Sequence, residues 1–161
     1  MTTTATELDR LADMLSGFDT CMFVTDDAGT LRSRPMHPLG NASDGSLYFF
    51  SYDTSDKHQE IRDESAVNLA FDDGDSVWIS VSGTARTVQD RAKAEELWQP
   101  SMRAWFPDGV ETDGLCLIEV RLTQAEYWDQ PNQTMVHLWG MAKAAITGET
   151  PDVGERGQFN L

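Results

Sequence analysis

From Ser76 to Gln89 the chain keeps a long period of two. Val77, Ile79 and Val81 share one face, and Trp78, Ser80 and Ser82 share the other. Such alternation marks a strand with one buried and one half-solvated face. Gly83 has no side chain to pack, and predicts a bulge that bends the strand to close a barrel. Shorter strand patterns occupy Thr20–Thr25, Thr30–His37, Ser46–Ser51, Ala66–Phe71, Leu115–Leu122 and Ala125–Asp129. Turn residues separate them: Asp26-Asp27-Ala28-Gly29, Asn41 to Gly45, and Asp72-Asp73-Gly74-Asp75. Many short strands with a turn every eight to twelve residues or so predict a sandwich or a barrel.

Helical patterns are few. Thr4 to Gly17 carries the apolar stripe Leu8, Leu11, Met14 and Leu15. Thr54–Asp63 follows a row of N-cap residues, and Asp90 caps a third helix running to about Met102, with Leu97 and Trp98 on its buried side. Three helices do not suffice for alternating β-α units, so the fold class is β-rich α+β. Ser46–Ser51 is expected to pair back on Thr30–His37, whose Pro35 lacks a donor and requires a free side or a break there. Thr134–Ala145 reads as a last element, strand or mixed. Residues 147–161 hold little to bury and are expected to be disordered, leaving a single domain over 1–146.

Charge singles out one stretch, Leu31 to Ile61. The chain of 161 residues carries a formal charge of −15, which argues against nucleic acid or an anionic membrane as partner. Yet Ala28 to Ser43 contains no acid and holds Arg32, Arg34 and His37. The two arginines project from the same strand face. Behind them, Asp53, Thr54 and Ser55 are N-cap candidates for the helix that begins with Lys57 in its first turn. A helix N-terminus carries free N–H groups and partial positive charge, so it attracts anions and disfavours lysine. A bound phosphate would explain the lysine. The residues alone equally allow solvated surface charges beside a helix cap.

Other chemistries lack support. Cys21 and Cys116 sit in apolar runs without a C-x-x-C, as buried reduced thiols of a cytoplasmic protein do. No apolar segment reaches membrane-spanning length, and the N-terminus has no signal-peptide pattern. There is no H-E-x-x-H, no Cys/His cluster, no G-x-G-x-x-G and no nucleophile elbow. A metal is therefore not expected, and no catalytic acid or base can be named.

The order SRPM, then an apolar strand ending FFS, then S-x-K-x-x-E-I resembles the pyridoxamine 5′-phosphate oxidase-like flavoproteins, and within them the general stress protein branch. VWISVSGTARTVQDR, LWQPSMRAWFPDG and LIEVRLTQAEYWD agree with that branch, so the likeness runs from about Thr20 to Asp129. It implies a split β-barrel and a homodimer with FMN bound where the subunits meet; FAD, a deazaflavin or haem are the alternatives on this fold. It implies a phosphate cradle of Arg32 or Arg34, Ser55 and Lys57, assisted by Ser51. It implies a ring slot from the main chain of Ser33, Arg34, Pro35 and Met36, with Phe50 adjoining. Trp78 and Trp128 stand where relatives contact the flavin, and Trp105 is expected at the dimer seam or as a lid. Where the oxidases proper carry Ser-Arg-Lys, this chain has Ser55-Asp56-Lys57. The segment DQPNQTMVHLWGMAKA lacks their Arg-x-His pattern, with His137 the only candidate there, so vitamin B6 synthesis is rejected. The implied role is redox: electrons pass through FMN to a small substrate, or the flavin is bound without turnover.

Overall fold

The computed structural model describes residues 2–129 and 155–161. Helix α1 spans Thr2–Leu15, two residues earlier than the apolar stripe suggests. Strands β1 (Cys21–Asp27) and β2 (Thr30–Met36) form a hairpin. Then come β3 (Ser46–Tyr52), α2 (Asp56–Asp63), β4 (Ala66–Asp72) and β5 (Val77–Val88). Helix α3 (Arg91–Leu97), β6 (Leu115–Asp129) and β7 (Glu155–Asn160) complete the chain.

All pairings are antiparallel, in the order β2-β1-β4-β5-β6-β3, with β7 also on β6. The sheet curls on itself as the split barrel that the sequence implied. Phe23, Phe49, Leu69, Val81, Ile118 and Val120 are fully buried inside it, and Leu11 and Leu15 of α1 join the same core. On β5 the faces fall as the alternation predicts: Ile79 and Val81 point in, while Trp78, Ser80 and Ser82 stay half-exposed.

Gly83 is where the curvature concentrates. Opposite it, β6 carries one extra residue, Thr123, between the partners of Ser82 and Gly83. This bulge makes Leu115–Asp129 one continuous strand rather than the two segments expected. A Cβ at Gly83 would collide with the Arg121 carbonyl oxygen and stand 2.8 Å from Val120 Cγ1. The obstacle is backbone and cannot swing away. Gly83→Ala is therefore expected to cost about 1–3 kcal/mol in chemical denaturation, whereas Gly29→Ala meets no neighbour and suffers only its turn geometry.

Three expectations change. Ser46–Ser51 does not pair back on β2. It pairs along β6, Leu47 opposite Val120 and Phe49 opposite Ile118. Its Phe49 and Phe50 are buried on opposite faces, so it needs cover on both sides. β2 stops before Pro38, and only Leu39 and Tyr48 exchange backbone bonds, each 2.9 Å, across the gap. The helix after Asp90 ends at Leu97, because Pro100 disfavours helix in the residue before it. A 3₁₀ turn over Pro100–Ala104 follows. Asp90 does cap α3, its side chain accepting from the Lys93 amide.

The third change concerns the C-terminal tail, where disorder was expected. Residues 155–160 form β7, which continues the β6 edge beyond the end of β3. Phe159 is buried against Tyr127, their rings stacked 5.5 Å apart. One aromatic and a lone glycine suffice, since Gly157 lies directly over the Tyr127 ring. Thr134–Ala145 and residues 147–154 lie outside the described residues.

Candidate functional site

The seam between the sheet's two end strands opens into a cleft of about 600 Å³. Pro35, Met36 and His37 at the end of β2 line one wall, with Asp19 and Thr20 beside them. Phe50, Ser51 and Tyr52 at the end of β3, with Lys57 of α2, line another. Ser101, Met102, Trp105 and Phe106 form the roof.

A small second core holds that roof in place. Phe50 meets Trp98 edge-on at 5.5 Å and lies 5.9 Å from Phe106. Tyr52 packs against Phe106 at 5.0 Å and donates its hydroxyl to the Trp105 carbonyl at 2.7 Å. Trp105 itself is 67% exposed at the mouth. Phe50 thus serves as core and as cleft wall together.

The polar end is built on α2. Ser55 is its N-cap residue, but its side chain makes no capping bond. Its hydroxyl instead lies 3.1 Å from that of Ser51. The first amides of α2 have no acceptor within the helix. Burial, and then the nearby Arg34 charge, hold the Lys57 pKa below its ordinary value. Lys57 makes no ion pair among the described residues. An anion brought to this corner would relieve that strain and satisfy two hydroxyls as well.

The arginines are differently disposed. Glu60, 4% exposed on α2, accepts from Arg32 at 2.8 Å and from Arg34 at 2.9 Å. Thr25, also buried, donates to the same carboxylate and accepts from Arg34 at 2.6 Å. Arg32 further approaches Asp27 at 3.4 Å and Asp56 at 3.9 Å. Burial pushes the Glu60 carboxyl up, but the Thr25 and Arg34 hydrogen bonds and the two guanidinium charges outweigh it and hold its pKa below the ordinary value. The acid-free window therefore receives its acids from elsewhere in the chain. Both arginines pin β2 to α2, and Lys57 is left as the cleft's cation.

The structure brings Pro35, Met36, Phe50, Ser51 and Lys57 together in one cleft, with Ser55 adjoining. Arg34 is not part of the lining, but its charge acts on Lys57. Ser33 faces outward on the edge strand opposite Val24. Trp78 and Trp128 sit opposite each other across β5 and β6, away from the cleft lining, with Arg156 stacked 5.5 Å over the Trp128 ring. His137 lies outside the described residues. Sequence reasoning missed Tyr52, Met102 and Asp19, which enter the cleft only through tertiary packing. It also missed the bridging role of Glu60, although its place one turn after Lys57, next to the buried Ile61, was a usable signal.

A second cleft of about 600 Å³ lies between α1 and the Pro38–Ser43 loop. Asp9, Asp13 and Asp19 line it, so it repels a phosphate. No group of metal-ligating side chains occurs among the described residues, and no helix among them is long and apolar enough to cross a membrane.

Comparison with known proteins adds family evidence. The family model described as pyridoxamine 5′-phosphate oxidase like matches residues 6–152. Protein bli-3 of Neurospora crassa is 30% identical over 170 residues, covering 94% of this chain and 80% of its own. A Jannaschia sp. CCS1 structure bearing the name general stress protein 26 superposes with a TM-score of 0.72 at 25% identity, over 98% of this chain and 99% of its own. The general stress FMN/FAD binding protein of Xanthomonas citri gives 0.67 at 26% identity, over 77% and 89%.

Proposed function

Because this chain belongs to the pyridoxamine 5′-phosphate oxidase-like family, we propose that its cleft binds FMN and that the protein is an FMN-dependent oxidoreductase of the general stress protein type. Electrons would pass from a reduced nucleotide to a small substrate. The observation that carries this reading is one cleft with two matched ends. An apolar slot of Met36, Met102, Phe106 and Trp105 adjoins a corner of two hydroxyls, one ammonium and a helix N-terminus.

The donor set fits a ribityl phosphate. Lys57 supplies a charge-assisted bond, Ser51 and Ser55 supply hydroxyls, and the first α2 amides supply N–H groups. Pro35 stiffens the strand beside the ring slot, which Trp105 and Phe106 roof. The bound flavin would supply hydride or single-electron chemistry; the chain would position it. The half-exposed face carrying Trp78 and Trp128 suits a partner subunit, so the proposal includes a homodimer with the cofactor near the seam.

Protein incubated with FMN and freed of excess should retain the twin flavin absorption bands, and these should bleach when a reduced nicotinamide is added. A colourless protein would overturn the flavin assignment. Retained bands without bleaching or turnover by any quinone would leave a flavin-binding protein that is not an oxidoreductase.

A further inference from the structure

Strand β2 is an edge strand, paired among the described residues with β1 alone. None of its residues is buried, so apolar packing does little to fix where it lies. Two side chains do that instead. Arg32 and Arg34 share one face of the strand, and both reach Glu60 of α2. Thr25 of β1 closes a triangle with Arg34 and Glu60, donating to the carboxylate and accepting from the guanidinium at 2.6 Å. Thr25 is 1% exposed and Glu60 4%. None of these residues lines the cleft, but their neighbours along the chain do. Pro35 and Met36 directly follow Arg34, and Lys57 stands one turn before Glu60.

We propose that Glu60 is the positioning residue of the flavin site: acting through Arg34 and Thr25, it sets the span between the Pro35–Met36 wall and the Ser55–Lys57 corner. This rests on the flavin reading above. A shared carboxylate suits the task, because its charge-assisted hydrogen bonds fix direction as well as distance. The consequence depends on the length of the ligand. A flavin without phosphate fills only the slot, and a phosphate alone fills only the corner. FMN must reach both ends at once, so it alone depends on the spacing between them.

Two substitutions separate this role from a purely structural one. Glu60→Asp keeps the charge and shortens the arm by one methylene. Thr25→Val is milder: it keeps every charge and nearly the same shape, and removes the hydroxyl that joins Arg34 to Glu60. In either variant the FMN dissociation constant should rise about tenfold, the lower end of what one charge-assisted bond is worth. The riboflavin dissociation constant, and the inhibition constant of inorganic phosphate against FMN, should stay at their wild-type values. Lys57→Ala is the contrast, because it should abolish the phosphate inhibition. If all three ligands weaken in parallel in variants that circular dichroism shows to be folded, the triangle only supports the fold and the assignment is overturned. An unchanged FMN constant in both variants overturns it equally. A wild type that binds neither FMN nor riboflavin would instead defeat the flavin reading itself.

Discussion

Glu60→Ala is expected to destabilise the protein by about 3 kcal/mol, near the lower end for removing one partner of a buried ion pair. Glu60 is 4% exposed, and the Arg34 side chain 21%. With the carboxylate gone, Arg34 loses its ion pair, Arg32 keeps only the exposed Asp27 and Asp56, and Thr25 loses its acceptor. Arg32 is 44% exposed, so its own pair adds little, about 1 kcal/mol at most. Arg34→Ala should also destabilise, and the double variant should lose less than the sum, because the two residues share one network. Urea denaturation of the three variants measures this directly.

The same carboxylate makes a pH prediction. Its folded pKa lies below its ordinary value, so the unfolded chain binds the proton more readily. Its contribution is fully present above the unfolded pKa of about 4.3. It is lost as pH falls through the lower folded value. The stability gap between wild type and Glu60→Gln should therefore narrow as pH is lowered from neutrality toward about 3. A gap that stays constant would mean that the carboxylate charge does not hold the arginines.

The second large effect concerns the ligand. Lys57→Ala should weaken FMN binding by about 1.5–3 kcal/mol, or roughly 10- to 150-fold, the range of a charge-assisted hydrogen bond. Riboflavin has the same ring and no phosphate, so its affinity should hardly change. The preference of the wild type for FMN over riboflavin should then collapse in the variant. If riboflavin weakens as much as FMN, Lys57 supports the ring or the fold, and the phosphate lies elsewhere. Because the Lys57 pKa is already lowered by burial, the FMN preference should also fade in alkaline solution, as the ammonium is lost.

The barrel was legible because period-two patterns report burial directly. Val77, Ile79 and Val81 face the core as the alternation requires, and Gly83 marks the bend. Strand partners were less legible. β3 looked like the second arm of a hairpin, yet with Phe49 and Phe50 on opposite faces it pairs with β6, and nothing local names that partner. The tail misled because composition measures average burial, whereas β7 is held by one aromatic, Phe159, on an open strand edge. At the site, types and spacing singled out Ser51, Ser55 and Lys57, which the fold brings to one corner. They could not reveal that Arg32 and Arg34 turn to Glu60, since that depends on how α2 settles on β1 and β2.

The proposed flavin site places the nucleotide's phosphate in the corner formed by Ser51, Ser55 and Lys57. Titrating the protein with FMN and with riboflavin, and following flavin fluorescence, tests it most directly. Saturable binding is expected, with FMN at least about tenfold tighter than riboflavin, in line with one charge-assisted bond. Equal affinity for the two, or no saturation with either, would contradict it.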